Sequence, residues 1–133
     1  MEIREYRAWR EDEILRLYAS VGWTAYTQRL ETLRAGFEHS LLTLAAYEDG
    51  RLAGLIRTVG DGCTVILIQD LLVSPEHQRK GIGSALVKAV LARFGGVRQI
   101  ELLTDQTPRS AAFYRSQGFR EASETGCLCF VKE

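Results

Sequence analysis

Gln78-Arg79-Lys80-Gly81-Ile82-Gly83-Ser84 sets two glycines, two cations and a hydroxyl between an apolar stretch and a helical one. A polar loop in that position delivers backbone N–H groups to the positive end of a helix dipole, which makes an anion site. Gly81 and Gly83 lack a Cβ, so a ligand can approach the backbone, and either residue can take a positive φ. Arg79 and Lys80 add positive charge beside those donors. Together they describe a pyrophosphate-binding loop. A tight structural turn would use the same glycines. The loop's placement, after a buried strand ending in Val73-x-Pro75 and before an amphipathic helix, favours the ligand. The Walker A arrangement G-x-x-x-x-G-K-[ST] is absent. The dinucleotide fingerprint G-x-G-x-x-G fails because Leu86 stands at its third glycine.

Other residue types that often do chemistry are scattered. His39 and His77 have no partner at metal-ligand spacing and read as loop histidines, so no metal is expected. Cys63, Cys127 and Cys129 are odd in number, and Cys-x-Cys is neither a redox pair nor half of a four-ligand zinc site. Alternation in Cys127-Leu128-Cys129-Phe130-Val131 predicts one strand face carrying two small buried hydrophobes.

The elements that hold the loop follow from periodicity. Residues 2–7 alternate as an opening strand, and residues 12–20 place Ile14, Leu15, Leu17 and Tyr18 at helical spacing before Gly22. Residues 26–35 predict a second helix that stops at Gly36, with the indole of Trp23 exposed or half-buried in the turn between them. Strands over 41–47, 52–59 and 64–73 are separated by Glu48-Asp49-Gly50 and Gly60-Asp61-Gly62, an antiparallel meander. From Ile82 the period becomes helical through Leu86, Ala89, Val90 and Phe94, and Gly95-Gly96 ends it. A short strand over 99–104 precedes a helix with Thr107 as N-cap and Pro108 at its first position, closed by Gly118. Residues 119–132 predict one or two closing strands. The expected architecture is α+β: a mixed, mostly antiparallel sheet of six to seven strands flanked by about four helices, in one domain over residues 1–133.

Composition agrees with such a domain. A chain of 133 residues, 46% hydrophobic with 2 Pro, can bury a sizeable core without a disulfide or a metal. Lys+Arg 17 against Asp+Glu 17 gives a formal net charge of +0, which argues against nucleic acid as the main partner. No apolar run approaches the ~18 residues of a membrane helix, and the N-terminus lacks the apolar core of a signal peptide. A cytoplasmic protein without a membrane partner is the expectation, as a monomer or a homodimer.

The segment from Asp70-Leu71-Leu72-Val73 through Gly81-Ile82-Gly83-Ser84 resembles the acyl-CoA-binding motif of the GNAT superfamily of N-acetyltransferases. Phe113-Tyr114-Arg115-Ser116-Gln117-Gly118-Phe119 resembles that family's F-Y-x-x-x-G-F ending, and the order of elements agrees over nearly the whole chain. The resemblance implies that acetyl-CoA is the co-substrate, with Gln78, Arg79, Lys80, Gly81, Ile82, Gly83 and Ser84 around its pyrophosphate. Backbone groups of Leu71 and Val73 would meet the pantetheine arm, and the Leu71 N–H would polarise the thioester carbonyl. Tyr114 matches the family's general acid toward the leaving thiolate. Thr107 stands where the family commonly has Asn; it can cap the helix and offer a hydroxyl to the cofactor, without an amide's paired donor and acceptor.

A primary amine would attack the thioester directly in a ternary complex. Such an amine is mostly protonated at neutral pH and must lose a proton. Asp70, a carboxylate inside an apolar strand, is the first candidate for base or amine-binding acid, ahead of Asp105 and Glu101. Trp23, Tyr26 and Asp105 are candidate acceptor contacts. The acceptor would be a small molecule or a protein lysine. The competing reading is a non-catalytic acyl-CoA-binding sensor; an ATP-type phosphate loop is disfavoured by the missing Walker pair.

Overall fold

The computed structural model describes residues 1–133, which form two compact units, Met1–Leu103 and Thr104–Glu133. In the first, β1 (Glu2–Glu5) is followed by α1 (Glu11–Ser20), α2 (Thr24–Thr27) and α3 (Leu30–Glu38). Then come β2 (Leu42–Glu48), β3 (Arg51–Gly60), β4 (Val65–Val73), α4 (Ile82–Arg93) and β5 (Gln99–Leu102). The sheet order is β1-β2-β3-β4-β5, with β1 to β4 antiparallel and β4 parallel to β5. Parallel neighbours need a crossover, and α4 supplies it.

Local chemistry explains the elements. α1 carries Glu11, Asp12 and Glu13 in its first turn, which suits the dipole, and buries Ile14, Leu17 and Tyr18 at i, i+3 and i+4. Asp49 and Gly50 both take positive φ, as a two-residue hairpin between β2 and β3 requires. Between β3 and β4, Asp61 Oδ1 accepts the backbone N–H groups of Cys63 (2.8 Å), Thr64 (2.8 Å) and Val65 (3.1 Å), which locks the turn. Its carboxyl is held well below the usual range by the Thr64 hydroxyl first and then by these N–H bonds.

Leu55 belongs to a buried cluster with Ile14, Leu17, Tyr18 and Leu33, whereas a Cβ on adjacent Gly54 would lie 3.1 Å from Ile82. Neighbouring strand residues face opposite ways, so α1 and α3 cover one face of the sheet and the start of α4 the other. The register slips once between β3 and β4. Arg57 faces Asp70 and Thr58 faces Ile68, which leaves Gln69 as a bulge.

The second unit holds α5 (Pro108–Ser116) and a 3-10 turn at Ala122–Thr125. Three expectations are corrected here. The sheet has five strands, because residues 119–133 form no ladder and their backbone bonds are turn bonds such as Cys127 N–H to the Ala122 carbonyl. Alternation makes a strand possible, but a strand exists only with a partner. For the same reason Cys127 and Cys129 are exposed rather than buried. The single helix expected over 26–35 is two, because Arg29 leaves helical geometry (φ −139°, ψ 58°), bringing the total to five.

Candidate functional site

Pairing between β4 and β5 ends at Ile68 opposite Leu102, so β4 runs on from Gln69 to Val73 with only β3 beside it. Strand and loop diverge from there. Ser74 Oγ and His77 Nδ1 are hydrogen-bonded at 2.6 Å, and the 3-10 turn Pro75–His77 turns the chain away. Gln78 Nε2 donates to the Val73 carbonyl at 2.9 Å, tying the end of the strand to the start of the loop. Arg79 then takes φ +64° and Gly81 φ +84°, two left-handed residues within three. A non-glycine residue rarely adopts that conformation, and it is concentrated at functional loops.

α4 opens at Ile82 with no side-chain cap and no acid in its first turn, and its first bond runs from Ala85 N–H to the Gly81 carbonyl. A Cβ added at Gly81 would meet open space, so the glycine is there for its backbone angle and leaves the approach clear. Arg79 and Lys80 are exposed. An uncapped dipole end flanked by two cations suits a pyrophosphate.

Asp70 sits beside this strand edge and is 2% exposed. Its Oδ2 accepts from Arg57 Nε at 2.8 Å and from the Tyr18 hydroxyl at 3.0 Å; its Oδ1 accepts from the Tyr26 hydroxyl at 3.3 Å. Arg57 also donates to Ser40 Oγ at 3.2 Å and lies 5.4 Å from the Phe37 ring centre. Burial alone would lower the Arg57 pKa, but the charge and bond of Asp70 outweigh it and hold it above its ordinary value. The Tyr18 hydroxyl is pushed far above its ordinary range, first by burial and then by the charge of Asp70. Burial behind Arg57, Tyr18 and Tyr26 therefore closes Asp70 to an incoming amine.

Trp23 and Tyr26 are half-buried, with ring centres 6.2 Å apart and each packed edge-on to Tyr18. They meet Asp70 through the Tyr26 hydroxyl. In the second unit, Thr107 Oγ1 accepts from the Ser110 N–H at 3.2 Å and so caps α5. Asp105 accepts from the hydroxyls of Ser110 and Thr104. Tyr114 is half-buried and its pKa is raised, by burial first and by the charge of Asp105 second, so its hydroxyl keeps its proton at neutral pH. Glu101 is exposed on β5.

The acetyltransferase (GNAT) domain model matches residues 39–121. The chain belongs to the GNAT acetyltransferase family. A solved GNAT family protein from Streptococcus pneumoniae is 37% identical, with TM-score 0.89 over 99% of this chain and 96% of its own. Serotonin N-acetyltransferase 2 of rice is 34% identical over 109 residues, 77% of this chain and 52% of its own length. An aminoglycoside N-acetyltransferase solved with CoA shares the fold at TM-score 0.68 and 19% identity, over 99% of this chain and 98% of its own. The chain spans about half the length of the curated relatives it matches.

Within this GNAT domain, sequence reasoning missed Tyr18, Arg57 and Gln69. A cation inside the apolar run Leu55-Ile56-Arg57-Thr58-Val59 was a usable signal for a buried partner. The bulge that brings Gln69 beside Tyr26 leaves no mark in residue types.

Proposed function

We propose that this chain is an N-acetyltransferase that moves the acetyl group of acetyl-CoA to a primary amine by direct attack in a ternary complex. The observation that carries the reading is the end of β4. A strand that loses its partner after Ile68 runs into a loop with two left-handed residues and then into an uncapped helix.

Acetyl-CoA supplies an activated acyl group and a thiolate leaving group. The backbone of Gln78, Gly81, Ile82, Gly83 and Ser84, with the charges of Arg79 and Lys80, holds the pyrophosphate. The freed edge of β4 offers backbone groups of Leu71 and Val73 to the pantetheine arm, and the Leu71 N–H stabilises charge on the carbonyl oxygen. The Val73 carbonyl accepts from Gln78 Nε2 and keeps its second lone pair for the arm. Tyr114, with its raised pKa, is suited to give a proton to the departing sulfur. Thr107 orders α5 as its cap and keeps a hydroxyl hydrogen for the cofactor.

The acceptor side differs from the expectation of a free carboxylate base. Asp70 is enclosed by Arg57, Tyr18 and Tyr26, so it acts as a positioning residue and the amine's proton leaves to water. Asp105, whose charge raises the Tyr114 pKa, is retained as a candidate acceptor contact. The test is a screen of primary amines for CoA release, with Tyr114→Phe beside the native protein. Turnover should fall roughly 10²–10⁴-fold with acetyl-CoA affinity unchanged. Tight acetyl-CoA binding with no turnover on any amine would convert the reading to a sensor module.

A further inference from the structure

Resting on that N-acetyltransferase reading, we propose that the Tyr26 hydroxyl and the Gln69 carboxamide form the seat for the acceptor's nitrogen. Both groups are uncharged, and the ion pair Arg57–Asp70 fixes them from behind.

Tyr26 gives its hydroxyl proton to Asp70 Oδ1 (3.3 Å) and accepts from Gln69 Nε2 (3.4 Å). A phenol oxygen has two lone pairs, so one remains. Gln69 spends one of its two N–H groups on Tyr26 and keeps Oε1 as a second acceptor, and the side chain is exposed because the bulge turns it out of the sheet. Two neutral acceptors side by side, at the strand edge that β5 abandons, match the two N–H groups of a primary amine.

The absence of charge at the seat has a chemical consequence. A carboxylate in direct contact would favour the ammonium form, which cannot attack a thioester. Here the carboxylate is one hydroxyl away and already neutralised by Arg57, so the seat does not favour the unreactive form in that way. The half-buried Trp23 and Tyr26 rings border it, and they suit an acceptor whose nitrogen is carried on an uncharged, apolar arm.

Calorimetry with 2-phenylethylamine, on protein saturated with CoA, tests the seat directly. Binding is expected in the native protein, weakened about 5–10-fold in Tyr26→Phe, as loss of one hydrogen bond implies. CoA affinity should not change in either protein. In turnover assays Gln69→Glu should lower the KM for this amine and lower kcat several-fold, because it holds the ammonium in place. Asp70→Asn should act like Tyr26→Phe on the amine KM while leaving the KM for acetyl-CoA unchanged. Absence of 2-phenylethylamine binding in a protein that binds CoA would overturn the seat alone. Equal affinity in Tyr26→Phe would do the same, whereas failure to bind CoA would remove the acetyltransferase reading itself.

Discussion

Replacing Arg57 with alanine leaves Asp70, only 2% exposed, with two tyrosine hydroxyls and no counter-charge. It also removes the 2.8 Å bond to Oδ2, the bond to Ser40 and the packing over Phe37. Breaking a buried ion pair from one side costs about 3–5 kcal/mol, because the surviving charge is desolvated and unpaired. Against a typical total stability of about 5–15 kcal/mol that is a large fraction. For a domain of this length it corresponds to a fall in Tm of roughly 10–20 °C. Urea unfolding followed by far-UV circular dichroism reads it as a lower midpoint with an unchanged slope. The double variant Arg57→Met, Asp70→Leu removes both charges and should recover much of the loss, so the two single effects should be strongly non-additive. A loss below about 1 kcal/mol in Arg57→Ala, or a double variant that costs the sum of the singles, would refute the neutralised pair behind Tyr26.

Gly60 takes φ +137°, and a Cβ there would sit 2.4 Å from the Val65 carbonyl oxygen and 2.9 Å from Ile66 Cα, both backbone atoms. Gly60→Ala is therefore expected to destabilise the β3–β4 hairpin by about 2 kcal/mol or more in the same urea assay, and a change under 0.5 kcal/mol would contradict it. The hydroxyls of Tyr6, Tyr18, Tyr47 and Tyr114 are all raised, by burial first. Their folded pKa values exceed the unfolded value near 10, so the folded state holds more protons above that pH. Stability from this source is full below about pH 10 and falls as pH rises further. A urea midpoint that stays flat from pH 9 to 11 would show that these phenols ionise equally in both states.

The loop and the elements around it were legible because their signals are local. Arg79, Lys80, Gly81 and Gly83 stand within five residues and announce a loop, which takes left-handed angles at Arg79 and Gly81. Asp49-Gly50 announces its own turn, and Thr107-Pro108 its own helix start. The Asp70 network was not legible, because its partners lie 13, 44 and 52 positions away and meet only once the register of β3 on β4 is set. A carboxylate within an apolar run marked Asp70 as unusual, but not whether it faced a substrate or an arginine. The C-terminal alternation over residues 127–131 failed for the opposite reason. A period of two says which face a residue would take, and nothing about whether a neighbouring strand is there to bond it.

On the proposed function, the loop from Gln78 to Ser84 holds the pyrophosphate of acetyl-CoA. Isothermal calorimetry with acetyl-CoA, with ATP and NAD as controls, on the native protein and on Gly83→Asp, tests it most directly. The native protein should bind acetyl-CoA alone of the three. Gly83→Asp should lose that binding while keeping a native circular dichroism spectrum, because it places a carboxylate at the start of α4, where the proposed site puts the phosphates. Undiminished acetyl-CoA affinity in Gly83→Asp, or a native protein that binds ATP and not acetyl-CoA, would contradict it.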